Sequence, residues 1–415
     1  MQKRSAALVF IFVCTSVAWF ILGGVTTGRT YQQDAKLRHA VGRLWGTAQE
    51  QKAPHIYFQT RHEREVETTT GGKTIKEKKV FVTDHPLTLD GSNISVDLKL
   101  EHRRKGLLWY STYRVGFTGA YRVTNGSQEK RDIFFVYTFP TAEGIYDSFS
   151  FAVDGKALKE LQPAEGKIKK KLNLEPGETK TVEVSYESQG MDEWWYMFGS
   201  NVSQIRNFKL TMTTDFDDID FPENSISPTE KKETSEGWQL TWQYSNLISG
   251  IQIGMDMPQK LNPGPFASKV SFFAPVSLFL FMFIMFIITT VRDIKIHPMN
   301  YFFISAAFFS FHLLLSYLVD HIDIHLAFAI CSAVSIFLVI SYMRLVVGTR
   351  FALIETGLSQ FVYLVLFSYV FFLEGYTGLA ITIGCIVTLF VVMQFTGRID
   401  WEAQFAAAKG EEKKE

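Results

Sequence analysis

The chain has 415 residues and sets 42 Lys and Arg against 42 Asp and Glu, so its net formal charge is zero. That balance excludes the basic face on which nucleic-acid binding depends. Hydrophobic residues make up 47 % and aromatics 15 %, led by 37 Phe, many of which fall in the C-terminal block. The three cysteines, Cys14, Cys331 and Cys385, all lie in apolar segments, which excludes a disulfide framework in the polar region and a Cys/His metal spacing. Each reads as a small apolar side chain packed between helices.

Lys3 and Arg4 precede an apolar run from Ala6 to Val25. The run exceeds the roughly 7–15 apolar residues of a signal peptide, and no A-x-A site follows between Leu22 and Thr27, so a retained anchor is favoured over a cleaved signal. Cys14 makes a poor lipoprotein site, because Val13 is bulky where a small residue is needed. A separate helix is expected over Tyr31–Trp45.

The pattern then changes to period two. Ile94, Val96, Leu98 and Leu100 alternate with polar residues, as on a half-buried strand. Similar runs are expected at Ile56–Arg61, Lys79–Thr83, Leu108–Phe117, Ala120–Thr124, Asp132–Phe139 and Ser148–Val153. Others follow at Lys167–Leu172, Thr179–Tyr186, Phe208–Thr213, Trp238–Tyr244 and Ile251–Met255. Turns at Thr70-Gly71-Gly72, Asp90-Gly91, Asn125-Gly126, Asp154-Gly155 and Glu175-Pro176-Gly177 separate them, which predicts an antiparallel sandwich. Such a stretch is long enough to bury its own core, and Ala53–Pro258 is expected to fold alone. Leu261–Lys269 reads as a linker in which two prolines and a glycine end the last strand.

Five apolar segments close the chain: Val270–Val291, Met299–Leu318, Ile324–Met343, Phe351–Leu373 and Tyr376–Phe395. Each approaches the roughly 20 residues that cross a hydrocarbon core about 30 Å thick. None shows a polar stripe, so they read as lipid-solvated helices. Arg292 and Lys295 follow the first, Arg344 and Arg350 separate the third and fourth, and Arg398, Lys409, Lys413 and Lys414 follow the last. The remaining connections carry Asp320, His321, Asp323 and His325, or Glu374, and no Lys or Arg. The positive-inside rule therefore places both termini in the cytoplasm and the β-rich part outside it. The expected fold class is membrane α-helical plus all-β. Residues 1–25 form a transmembrane anchor and 26–268 an extracytoplasmic, sandwich-like antiparallel β-domain. Residues 269–397 form a five-helix bundle and 398–415 a cytoplasmic tail, with six transmembrane helices in all.

Few residues invite chemistry. The loop Asp320-His321-Ile322-Asp323-Ile324-His325 could ligate a divalent metal or titrate between pH 5 and 8; the plainer reading is a hydrated turn that keeps positive charge away. His312 lies inside a helix, where a polar side chain is costly; an interhelical hydrogen bond, with Gln360 as a partner type, competes with a proton relay. Pro298 can open its helix, with His297 before it capping the turn or meeting a headgroup phosphate. Asp400 and Trp401 read as an interfacial stop, and Arg344, Arg350 and Glu355 as snorkelling groups. Glu193-Trp194-Trp195-Tyr196 suits a sandwich core, a bilayer surface or a glycan. No G-x-S-x-G, HExxH, P-loop or GxGxxG stands in a suitable context, and no cofactor is implied.

The runs IKIHPMNYFFISAAFFSFHLLLSYLVDHIDIHLAF and EGYTGLAITIGCIVTLFVVMQFTGRIDW resemble the CreD family of bacterial inner-membrane proteins. RRKGLLWYSTYRVGFTGAY and LRHAVGRLWGTAQEQKAP resemble its polar region more weakly, and APHIYFQ departs from the family's G-P-x-L-x-V-P-Y strand. The resemblance implies an inner-membrane protein linked to envelope stress, β-lactam response and colicin tolerance, and it implies no reaction. Three functions follow as alternatives. The first is a non-enzymatic envelope protein whose β-domain senses or binds an envelope component. The second is a transporter or lipid translocator, for which only Gly348, Gly357, Gly375, Gly378 and Gly384 hint at interrupted helices. The third is a membrane enzyme acting on envelope lipid or peptidoglycan. The expected partners are membrane lipids and an envelope component or membrane protein, with no nucleic acid.

Overall fold

The computed structural model describes residues 2–397 apart from 71–72, 107, 159–160, 200–201 and 374, with the backbone alone for 2–5, 67–70 and 73–77. Asp400, Trp401 and Glu374, like the Gly71-Gly72 turn, lie outside the described residues. The chain divides into two compact units, Leu37–Lys260 and Met1–Lys36 with Leu261–Glu415.

The first helix, α1, spans Gln2–Trp45 without a break, where the sequence suggests an anchor and a second helix. No proline falls between Val25 and Tyr31, and Thr27 and Thr30 donate their hydroxyls back to the carbonyls of Gly23 and Thr26. Fifteen strands follow among the described residues. They are β1 (Gln49–Lys52), β2 (His55–Thr70), β3 (Lys73–Leu87), β4 (Gly91–Lys105), β5 (Leu108–Thr124), β6 (Arg131–Thr138), β7 (Tyr146–Val153) and β8 (Lys156–Ala157). Then come β9 (Lys167–Leu174), β10 (Thr179–Met191), β11 (Glu193–Met197), β12 (Ser203–Thr214), β13 (Glu230–Glu233), β14 (Trp238–Ser249) and β15 (Ile253–Asp256).

They form three sheets, ordered β13-β14-β12-β4-β5-β10-β7-β8, β3-β2-β6-β9 and β1-β11-β15. Pairing is antiparallel except for β1 with β11 and β4 with β12, two parallel contacts that hairpin turns do not foretell. The inner faces share one core that includes Val96, Phe117, Phe135, Val184, Trp194 and Trp242. β4 alternates buried and exposed residues from Ser92 to Lys99, as its apolar spacing predicts. Trp194 and Tyr196 of β11 are buried, which assigns the aromatic cluster to the core. β1 also belongs to that core. Gln51 is fully buried, and its Oε1 accepts from the hydroxyls of Tyr137 at 2.6 Å and Tyr186 at 2.9 Å. A fragment cut at Ala53 loses β1 and with it the acceptor of both phenol hydroxyls.

Five further helices follow: α2 (Pro263–Val291), α3 (Pro298–Leu318), α4 (Ile324–Val346), α5 (Thr349–Phe372) and α6 (Thr377–Thr396). With α1 they make six helices long and apolar enough to cross a membrane. α2 begins in the expected linker, because Pro263 stands in the first turn, where its missing N–H has no partner to lose. Small residues let α1 and α2 approach. The Thr27 and Ser268 hydroxyls lie 2.5 Å apart, and Ser268 donates to the Gly23 carbonyl at 3.0 Å. A Cβ on Gly23 would meet the Phe272 ring at 3.0 Å.

Candidate functional site

The α3–α4 connection is held by backbone-directed and aromatic contacts. Asp323 is the N-cap of α4 and its carboxylate accepts from the amides of His325 at 2.9 Å and Leu326 at 3.3 Å. His325 stacks on Phe372 with ring centroids 4.7 Å apart. His321 is exposed. Asp320 pairs with Arg29 of α1 at 2.9 Å, and the same guanidinium donates to the Ser316 carbonyl at 2.7 Å and lies over the Tyr317 ring. Burial pushes the Asp320 carboxyl up from its ordinary value, while Arg29 pulls it down. Among the described residues no group of three His, Cys, Asp or Glu is placed to hold a metal ion. The loop is thus a capped turn tied to α1. At the other end of α3, His297 is the N-cap, its Nδ1 accepting from the Met299 amide at 3.2 Å, and Pro298 takes the first helical position.

His312 is fully buried among Trp19, Phe308 and Phe311, with the Trp19 ring 5.5 Å away and edge-on. Its Nδ1 lies 3.4 Å from the Phe308 carbonyl of its own helix. Its Nε2 and the Trp19 Nε1 have no hydrogen-bond partner among the described residues. Gln360 does not meet it. That amide donates instead to Ser335 Oγ of α4 at 2.9 Å, and Ser335 donates to the Ala307 carbonyl of α3 at 2.7 Å.

Gln360 belongs to the most irregular helix. Within α5, Ala352–Thr356 and Phe361–Leu366 are π turns, and Val370–Phe372 tightens to a 3-10 turn. Neighbouring helices take up what the loosened ladder releases: Ser277 of α2 donates to the Tyr363 carbonyl, and the Tyr363 hydroxyl donates to Thr388 of α6 at 3.1 Å. Glu355 pairs with Arg292 just beyond α2, and its side chain is only 9 % exposed, so it points into protein where snorkelling would take it to water. Apolar spacing alone carries no signal for a π turn; the one legible hint was a glutamine in a hydrophobic run.

In the β-domain, a cleft of about 330 Å³ is lined by His55, Tyr196, Phe198, Gln204, Arg206 and Phe208 among others. Tyr196 and Phe208 are buried beneath it, Phe198 is half-buried, and the Arg206 guanidinium is exposed. Elsewhere Asp256 is pushed up to about 6 by burial and by the nearby charges of Glu193, Asp220 and Asp192.

The family model described as "Inner membrane protein CreD" matches residues 1–402, so the similarity runs through the β-domain as well as the helices. No curated protein matches the chain. Similar solved structures include a protein of Legionella pneumophila subsp. pneumophila str. Philadelphia 1 described provisionally as nutrient binding. It is 9 % identical over 57 % of this chain and 76 % of that one, with a TM-score of 0.31. An M1 zinc metallopeptidase from Deinococcus radiodurans is 14 % identical over 40 % of this chain and 42 % of its own length, with a TM-score of 0.22. Likeness at this level carries no argument about activity.

Proposed function

The chain belongs to the CreD family of inner membrane proteins, and from that premise we propose that it serves the integrity of the cell envelope without catalysing a reaction. The β-domain lies on the periplasmic side and binds or senses an envelope component, and the helices hold it in the membrane with both termini in the cytoplasm. The cleft beside Arg206 is the natural place for that component, since the half-buried Phe198 suits an apolar or sugar face and the exposed guanidinium suits an anionic group.

The observation that carries the orientation is the distribution of basic residues. Arg292 and Lys295 stand between α2 and α3 and Arg344 and Arg350 around the α4–α5 turn, whereas the α3–α4 connection has none. Side-chain contacts support it. Trp19 meets His312 and Arg29 meets Asp320, so α1 and α3 run in the same direction and α1 reaches the acidic side.

A reporter inserted beside Asn125 tests the orientation: it is active only outside the cytoplasm, and cytosolic activity overturns the reading. A deletion strain tests the role. It becomes more sensitive to antibiotics and detergents, and a copy carrying Arg206→Glu restores resistance poorly. Unchanged sensitivity on deletion counts against an envelope function.

One observation favours a second reading, a transporter. Carriers build substrate and ion sites from irregular helices inside the bundle, and α5 is such a helix. Substrate-dependent uptake in proteoliposomes, lost on changing Gln360, would promote it.

A further inference from the structure

The β4–β5 hairpin carries a basic run near its turn, His102-Arg103-Arg104-Lys105. Part of that run is already engaged. Arg103 lies over the Trp45 ring at 3.3 Å and pairs with Glu101 at 3.0 Å, and Glu101 also holds Arg114 at 2.8 Å. His102 Nε2 lies 2.9 Å from the Pro258 carbonyl, which also accepts from the Ser111 hydroxyl at 2.6 Å. Those contacts strap the segment that precedes α2 across the hairpin. Lys260 follows, exposed, with its Nζ 4.5 Å from the centre of the Trp109 ring. Trp109 is the ladder partner of exposed Arg104, so the two side chains share a face of the hairpin. Arg104 and Lys260 have no carboxylate partner among the described residues. Burial lowers the His102 pKa from its ordinary value, the Pro258 bond works against that, and the Lys260 charge adds to the fall.

The chain enters and leaves the β-domain at this hairpin. Leu37 and Val41, at the start of the domain, pack with Leu108 and Tyr110, and a Cβ on Gly106 would meet Leu37 at 3.0 Å. At the other end, Lys260 stands three residues before Pro263, the first residue of α2, so at most about 11 Å of chain divides them. α2 has 29 residues and is therefore about 43 Å long. A bilayer with its headgroup layers is about 40–45 Å thick, so α2 begins at headgroup depth. A half-buried indole suits that layer, and cations close to it meet lipid phosphates.

We propose that Arg104, Lys260 and the Trp109 indole form a binding surface for the headgroups of anionic phospholipids. In water alone, two unpaired cations beside one ring repel each other, with only the indole face to offset it. An anionic headgroup supplies the missing charge, and its phosphate accepts from a guanidinium and an ammonium at once. A zwitterionic headgroup carries its own cation and serves less well. The surface depends neither on what the cleft binds nor on which leaflet the domain faces.

The test compares purified full-length protein in nanodiscs of phosphatidylcholine alone and of phosphatidylcholine mixed with phosphatidylglycerol. Hydrogen exchange is read on the peptide spanning residues 101–110. Phosphatidylglycerol is expected to slow it about fivefold or more, the scale set by one basic residue at an anionic surface. Sodium chloride reverses the slowing, because salt screens exposed charges. The slowing is lost in the double variant Arg104→Gln/Lys260→Gln, weakened in Lys260→Gln alone, and kept in Lys260→Arg, which preserves the charge. Equal exchange in the two discs, or a slowing that survives in the double variant, overturns the surface. A slowing by inorganic phosphate in phosphatidylcholine discs overturns the lipid as its occupant and leaves a site for free anions. None of those outcomes touches the orientation or the envelope role, which the reporter and the deletion strain test separately.

Discussion

The β-domain and the helical bundle both bury apolar side chains and differ in what they turn outward. The domain core holds Phe117, Phe135, Trp194 and Trp242, and its edge strand β9 turns Lys167, Lys169 and Lys171 outward. The bundle buries Ser277, Ser305, Ser335, Thr356 and Gln360 and turns Phe279, Phe303, Leu389 and Phe390 outward. Water drives apolar surface inward, whereas lipid is as apolar as leucine and leaves close packing and polar contacts to hold helices together. The contrast identifies the solvent each unit folds against. It also shows that in the bundle the polar groups specify the arrangement, as the Gln360–Ser335–Ala307 chain across three helices illustrates.

The contrast breaks most easily in the sheet core. Trp242 is fully buried and donates its indole N–H to the Ile226 carbonyl at 2.7 Å. Trp242→Ala removes both the ring and the bond and is expected to destabilise by about 3–5 kcal/mol, read from urea unfolding of a Leu37–Lys260 fragment. Circular dichroism of that fragment shows sheet. A fragment starting at Ala53 is weaker, because it lacks Gln51. In the longer fragment Gln51→Ala leaves two buried phenol hydroxyls without their acceptor, at about 3 kcal/mol in total by the usual cost of orphaned groups.

Those two residues also mark what could be read in advance. Trp242 sits on a strand whose alternation is plain, and the same holds for β4 and β6. Gln51 sits on β1, Gln49–Lys52, where every residue is polar and yet two are buried. A strand that enters a core through its amides has no apolar period to detect. The stretches Leu108–Phe117 and Ala120–Thr124 read as two strands because glycines interrupt them, but β5 is continuous. Gly119 stays in the ladder, and a Cβ there would fall on the Tyr121 ring. The six helices were legible from length and apolarity alone, since lipid imposes both. The polar contacts inside the bundle were not. Glu355 reads as a residue reaching for water, and only packing shows it enclosed; His312 and Gln360 read as possible partners, and packing places them against different helices.

A smaller effect is expected at the α3–α4 turn. Arg29→Ala removes the partner of Asp320, a hydrogen bond to Ser316 and the contact with Tyr317, for about 2 kcal/mol by the scale of charge-assisted bonds. Its sign with pH is diagnostic. Burial already raises the Asp320 carboxyl, and losing Arg29 raises it further. A carboxyl raised in the folded state contributes fully below its unfolded pKa, and that contribution fades as pH rises through the folded one. The variant's deficit in Tm, measured in detergent, therefore grows from acid toward neutral pH. A deficit independent of pH would mean that the guanidinium acts on Ser316 and Tyr317 alone.

Asp256 gives a purer pH signal with a smaller amplitude. Its carboxyl is held up to about 6 by burial and by Glu193, Asp220 and Asp192. Protonation is thus favoured in the folded domain, and stability is lost as pH rises through about 6. Asp256→Asn keeps the shape and removes the titration. Relative to the variant, the wild-type fragment should gain stability as pH falls from about 7 to about 5, bracketing that raised value. Parallel pH profiles would show that neither burial nor the neighbouring carboxylates raise the Asp256 carboxyl in the folded domain.

The smallest expected effect is the sharpest test of the solvent argument. Phe390 on α6 is 61 % exposed, and of that helix's residues only Thr388 and Val392 are buried. If lipid surrounds α6, the Phe390 ring is in hydrocarbon whether or not the helix is docked, so folding transfers it nowhere. Phe390→Leu should then change stability in nanodiscs by less than about 0.5 kcal/mol, as for substitutions away from any packed contact. The same exchange at Phe135, fully buried in the sheet core, removes ring contacts that nothing replaces and costs more than about 1 kcal/mol. A comparable loss at Phe390 would mean that α6 faces another protein chain in the membrane. The unbroken row of Leu379, Ile383, Ile386, Phe390 and Met393 would then be an interface rather than a lipid-facing surface.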